Sequence, residues 1–294
     1  MYNILKKKRN IAVFVLPAFI IYLLFTLFPI LYNFYMSFFK TNLMSPGRFV
    51  GLGNYINLLK DKVFLSALKN NIIMVIGSLI AHLPIALFLA TIFFTKVRGS
   101  NFFQAVFFLP CVICGVAVGL AWTFIYHSEF GLINKFLTAL GLDQLRHAWL
   151  ANKETALISI IIVVMWQYIG YHLMIQLAAM RNFPASLYDA ARIDGASKWQ
   201  QFKYITFPLI KPILKVDAVL IITGSLKYYD LVAVMTGGGP NHSTELMSTY
   251  MYYQGFRTLK YGYSASIGVV LLILCITAVG FSNIVFHSEA IELS

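Results

Sequence analysis

SLYDAARIDGASKWQQFKYITFPLIKP, residues 186–212, decides how this chain is read. It is a polar stretch set between strongly apolar runs. Pro184 suits a first helical turn, and Ser186 with Asp189 three residues on has capping-box spacing. Ala190, Ala191 and Arg192 favour helix. Gly195 stands where that helix stops, because glycine takes left-handed backbone at little cost. Ser197 is placed to cap a second short helix carrying Trp199, Phe202 and Ile205. Phe207, Pro208 and Pro212 begin the next apolar run. The pattern predicts helix, sharp turn, helix over 184–206, with an apolar face on each. A solvated loop is the alternative.

Composition sets the surroundings of this stretch. Of 294 residues, 59% are hydrophobic and 12% charged, and mean hydropathy is +0.75. A soluble domain carries about 25% charged residues. The expectation is therefore a single-domain, all-α integral membrane protein. Apolar runs fall at about residues 11–39, 72–94, 102–126, 156–180, 213–235 and 264–286. Each approaches or exceeds the roughly 20 residues that a bilayer core demands, which gives six transmembrane helices. Both termini then lie on one side. The first run is too long for a signal-peptide core and reads as an uncleaved span.

The formal charge is +12. In a soluble protein it would suggest nucleic acid. Here the basic residues sit at span ends and loops, where they set topology and meet anionic lipid, so no nucleic-acid partner is expected. Raw counts of basic residues on the two sides are close. The compact cluster Lys6, Lys7, Lys8 and Arg9, and the short turn 96–100, put the N-terminus in the cytoplasm.

The stretch at 186–212 resembles the EAA motif of permease subunits of binding-protein-dependent ABC importers. That pattern is Glu-Ala-Ala, three residues, Gly, nine residues, Ile, one residue, Leu-Pro. This chain has Asp189-Ala190-Ala191, Gly195, Ile205 and Phe207-Pro208 at the same spacing. Asp189 stands for Glu and Phe207 for Leu, both keeping the chemical type. The resemblance implies a type I importer permease fold in a bacterial or archaeal plasma membrane, with both termini cytoplasmic. It implies a second homologous permease, two ATPase subunits that bind ATP and Mg, and an extracellular solute-binding protein. It also implies that Asp189, Ala190, Ala191, Asp194, Gly195, Trp199, Phe202, Ile205 and Pro208 couple this chain to an ATPase. The chain has no G-x-x-x-x-G-K-[ST], so ATP hydrolysis falls to a partner and this subunit is not an enzyme.

Other stretches narrow the family. Thr236-Gly237-Gly238-Gly239-Pro240, followed by Asn241 to Glu245, strongly resembles the TGGGP segment of oligosaccharide-type permeases, relatives of the maltose importer. The phrase FVGLGNY, continuing to Asn70, resembles sugar-importer permeases too. The segment before Trp149-Leu150 resembles the family's short external helix. Together these imply a carbohydrate substrate. A permease for a non-sugar solute such as a phosphorylated polyol, and a secondary transporter, are the alternatives.

Two spans carry polar side chains. Tyr168, His172 and Gln176 recur every fourth residue on one helical face of span four, beside Tyr171. Rings stack on the C–H faces of sugars and amides bind hydroxyls; interhelical hydrogen bonding is the alternative. Span five holds Lys215, Asp217, Lys227 and Asp230. Lys215 and Asp217 are expected to snorkel at the inner end. Lys227 and Asp230, three apart, are spaced to pair on one face. Ser225, Lys227, Tyr228 and Asp230 are expected to line the pathway. Pro17, Pro29, Pro84 and Pro110 are expected to bend spans.

Residues 40–69 are expected to form a loop with a turn at Ser45-Pro46-Gly47 and an amphipathic part over 55–68. A second amphipathic part is expected over 245–256. Cys111 and Cys114 form a C-x-x-C inside a span without a second ligand pair. They are read as small packing residues, and no metal site is expected.

Overall fold

The computed structural model describes residues 8–42, 45–95 and 97–285. Lys6, Lys7, Lys96 and the tail 288–294 lie outside the described residues. The chain forms two compact units. One comprises residues up to 61 together with 251–270, and the other comprises 62–250 and the residues from 271 on.

In the first unit, α1 (Lys8–Tyr22) passes through a π-helical turn, Leu23–Leu27, into α2 (Phe28–Met36). The π turn ends two residues before Pro29. A widened turn leaves room for a proline ring that cannot donate to the preceding turn. β1 (Phe39–Asn42) and β2 (Ser45–Phe49) then pair antiparallel, Phe39 opposite Phe49. The expected turn at Ser45-Pro46-Gly47 is thus part of a strand. A short helix, α3 (Gly53–Lys60), closes the segment. Asn54 Nδ2 donates to the carbonyls of Ser37 and Phe39 at 2.8 and 2.9 Å, fastening helix to hairpin. The expected loop is therefore folded, because one buried amide satisfies a helix-end and a strand-end carbonyl.

The second unit holds the spans around the site. α4 (Lys62–Phe94) has 33 residues and begins ten residues before the predicted span at 72. α5 (Ser100–Val112) and α6 (Gly115–Ile125) replace the single span expected over 102–126 and meet at 98°. Ile113 and Cys114 between them are extended, which turns the chain. Gln167 Nε2 donates to the Ile113 carbonyl at 3.2 Å and satisfies a group freed by the break. α7 (Leu132–Ala139) is the short helix before Trp149, whose Nε1 donates to Asn134 Oδ1 at 2.9 Å. α8 (Ala156–Arg181) is the fourth predicted span, unbroken.

Next come α9 (Ala185–Ile193) and α10 (Lys198–Gln201). A second π turn, Phe202–Thr206, precedes Phe207-Pro208, as the first precedes Phe28-Pro29. α11 (Phe207–Leu226) ends at Lys227, so span five stops nine residues before its predicted end. α12 (Asp230–Met235), α13 (Met247–Tyr252), a π turn at Tyr253–Arg257 and α14 (Tyr261–Val285) complete the described chain.

Among the described residues, four helices are long and apolar enough to cross a bilayer, and the bent pair makes five. α11 has the length, 20 residues, but carries Lys211, Lys215 and Asp217. By length and apolarity the described residues thus give four to five of the six expected spans, with α11 the one that falls short.

The cores of the second unit explain its packing. α4 buries Ala67, Ala81, Ala86 and Ala90, small residues that let α8 approach closely. Ala86, Ala90 and Phe93 meet Leu173, Leu177 and Met180 of α8 and Ile210 of α11. A second cluster joins Met74, Ile160, Val164, Leu231 and Val232.

Candidate functional site

The first candidate is the helix pair at 185–201. Pro184 is the N-cap of α9 and no side chain caps that end, so the expected Ser186–Asp189 box is absent. The helix begins before Ser186, and Asp189 instead pairs with Arg192 one turn on. The stop is as expected. Gly195 has φ +78, Gly195 N donates to the Arg192 carbonyl, and Ala196 N donates to the Ala191 carbonyl. These two bonds make a Schellman motif with glycine at its left-handed position. The second start is also as expected: Ser197 Oγ accepts from Gln200 N, and Gln200 Oε1 accepts from Ser197 N at 2.7 Å.

α9 has no buried residue. Ile193 is 86% and Trp199 69% exposed, with Trp199 stacked on Phe202 at 5.6 Å. Both are large apolar side chains exposed on a charged helix pair. The pair is fixed to the spans on its other side. Tyr188 Oη is 3.0 Å from Thr206 Oγ1 at the head of α11, and the Tyr188 ring lies 5.4 Å from Phe94 at the end of α4. Burial pushes the Tyr188 phenol above its ordinary pKa, with the Thr206 hydrogen bond opposing. Asp189, Ala190, Asp194 and Gly195 are exposed, while Ala191, Phe202, Ile205 and Pro208 are half-buried.

The second candidate is a cavity of about 350 Å³ between α4, α8 and the α11–α12 break. Tyr168, Tyr171, His172, Ser225, Lys227, Tyr228 and Asp230 line it, which is seven of the eight expected pathway residues. Gln176 does not. It is fully buried, and its Nε2 donates to Asp217 Oδ2 at 2.7 Å. His172 Nδ1 holds the other Asp217 oxygen, also at 2.7 Å. Asp217 has no exposed surface, so it does not snorkel. It is a buried carboxylate with two partners on the neighbouring helix. Asp217→Ala leaves both partners buried without an acceptor, a loss of about 1–3 kcal/mol for each. A fall in the thermal unfolding midpoint of the purified protein is the expected readout, with Asp217→Asn much milder.

Lys227 and Asp230 form no ion pair with each other among the described residues. The helix ends at Lys227, so the expected i,i+3 face does not exist. The break is held from α4. Asn71 Nδ2 donates to the Leu226 carbonyl at 3.0 Å, and Asn71 Oδ1 accepts from Met247 N at 2.8 Å. Asn70 Nδ2 binds the carbonyls of Ser243 and Glu245 at 2.8 and 2.9 Å. Asn70 closes the Phe49–Asn70 phrase that the sequence singled out, but no role was read for it, and its neighbour Asn71 was missed. They hold the segment that follows the three glycines, of which Gly238, at φ +87, leaves the space taken by the buried Glu245 carboxylate. Cys111 is half-buried, Cys114 exposed, and both are free thiols.

The model of the family described as binding-protein-dependent transport system inner membrane component matches residues 63–287. The chain belongs to this family. This transport-system component is 40% identical to the probable ABC transporter permease protein YurN of Bacillus subtilis, over 89% of this chain and 90% of that one. It is 33% identical to the lactose transport system permease protein LacF of Rhizobium radiobacter, over 89% of this chain and 88% of that one. Its fold is that of a chain in a bacterial ABC transporter involved in import of the acidic polysaccharide alginate. The TM-score is 0.84 at 24% identity, covering 97% of each chain.

Proposed function

We propose that this chain is the pathway-forming permease of an ATP-driven importer for a sugar or oligosaccharide, and that the helix pair at 185–201 couples it to an ATPase. One observation carries the reading. The exposed apolar pair is tied through Tyr188 to α4 and α11, the same helices that wall the 350 Å³ cavity. A partner that moves the pair therefore moves the cavity walls. The coupling acts only if the partner contacts differ between two states. ATP and Mg would sit on two ATPase subunits, with a second homologous permease completing the pathway and an extracellular binding protein delivering solute. Both termini would be cytoplasmic.

The cavity chemistry supports sugar. Tyr168, Tyr171 and Tyr228 offer ring faces, and Ser225 and His172 offer polar groups. Lys227 and Asp230 bring opposite charges to one wall, which suits a neutral solute. The lactose system named for LacF points the same way.

The test is uptake of labelled lactose and maltose into proteoliposomes holding the complete transporter and its binding protein. ATP-dependent accumulation is expected. Gradient-driven uptake by this chain alone would favour a secondary transporter instead. In the same assay, Tyr228→Ala lowers uptake about fivefold to tenfold through loss of ring contact, with the complex still assembled. Loss of assembly would assign Tyr228 to packing.

A further inference from the structure

His82 was not singled out in the sequence. It lies on α4, is 2% exposed, and lines the cavity together with His172, the two rings 4.8 Å apart. Neither His82 ring nitrogen has a hydrogen-bond partner. The carbonyls of Ser78 and Val164 lie near the ring, outside hydrogen-bonding geometry. Carbonyls only accept, so they cannot serve both nitrogens of a neutral imidazole, which offers one donor and one acceptor. The accepting nitrogen needs a donor, and the chain around it supplies none.

His172 presents the same need. The Asp217 carboxylate only accepts, so the 2.7 Å contact puts the proton of neutral His172 on Nδ1. Nε2 is left as an acceptor and makes no hydrogen bond within the described chain. His82 and His172 both line the cavity, and each has an accepting nitrogen that wants an O–H or N–H group. A carboxylate offers neither and would lie near buried Asp217. A hydroxyl donates one hydrogen bond and accepts others.

We propose that His82 and His172 form a hydroxyl-binding subsite in this cavity, with Asp217 positioning His172, and that the subsite favours neutral polyhydroxy solutes over carboxylated ones. This rests on the carbohydrate reading above and adds which groups are read and by what.

The test uses the complete transporter in proteoliposomes with labelled lactose and maltose as probes. His82→Phe keeps the ring volume and removes both nitrogens. It raises the apparent KM about fivefold, the scale of one net hydrogen bond. His82→Gln, with a donor and an acceptor, restores most of the loss. A packing role gives the reverse order, with Phe tolerated and Gln not. A readout on the unmodified protein guards against misfolded variants: one monodeoxy position of the transported disaccharide raises KM about fivefold. The subsite is overturned if His82→Phe keeps the wild-type KM, if Gln is worse than Phe, or if every monodeoxy analogue matches its parent. In each of those outcomes the parent sugar is still taken up, so the carbohydrate reading stands apart from the subsite.

Discussion

Gly195→Val is expected to abolish ATP-driven uptake while the chain still inserts and assembles. Gly195 sits at φ +78, where a β-branched residue is strained by about 1–3 kcal/mol. Among the described residues, no atom beyond its two chain neighbours lies within 4 Å of a Cβ built there. The substitution therefore leaves the spans intact and acts on the turn between α9 and α10 and on whatever docks against it. Where the strain differs between the two states, a cost of that size shifts their equilibrium by about fivefold to 150-fold, enough to separate hydrolysis from transport. The expected measurement is uptake reduced at least about tenfold, with ATP hydrolysis by the complex no longer stimulated by the loaded binding protein. Wild-type uptake by this variant would count against the coupling role.

Gly170→Leu is expected to do the opposite, destroying the folded chain before function can be asked. A Cβ at Gly170 would run into the Phe107 carbonyl of α5 and come within 2.8 Å of Phe108 Cα. These are backbone atoms that cannot swing aside. Overpacking of this kind costs about 1–3 kcal/mol where neighbours can relax, and more where they cannot. Even Gly170→Ala is expected to lower the yield of detergent-stable protein, with Leu worse. A monodisperse Leu variant of normal thermal stability would contradict the close approach of α5 and α8.

These two glycines show what was legible. Gly195 was readable because its partners are local: the helix before it, the Ser197 cap after it, and the Schellman bonds between. Gly170 was not, since its neighbour lies over 60 positions away on another helix. The same division runs through the site. Tyr168 and His172 of the cavity were legible from a four-residue period, whose third member, Gln176, turns to Asp217 instead. The end of α11 was not, because the carbonyls it frees are taken by Asn71 of α4. Pro110 pointed to a bend near Val112, but its 98° size was hidden, the Ile113 carbonyl being taken by Gln167. Asp217 read as a snorkelling charge because its partners His172 and Gln176 belong to α8. Ser186 and Asp189 had cap spacing but lost the role to Pro184, which starts the helix earlier.

Site-specific photocrosslinking from position 190 or 193 in native membranes tests the central claim most directly. Ala190 and Ile193 are exposed on α9, so a probe at either reports what covers that helix. The account predicts capture of a subunit carrying a nucleotide-binding G-x-x-x-x-G-K-[ST] loop, identified by mass, with a yield that changes when ATP is added. Capture of only an extracellular solute-binding protein, or of lipid alone under conditions where ATP-driven uptake proceeds, would contradict it.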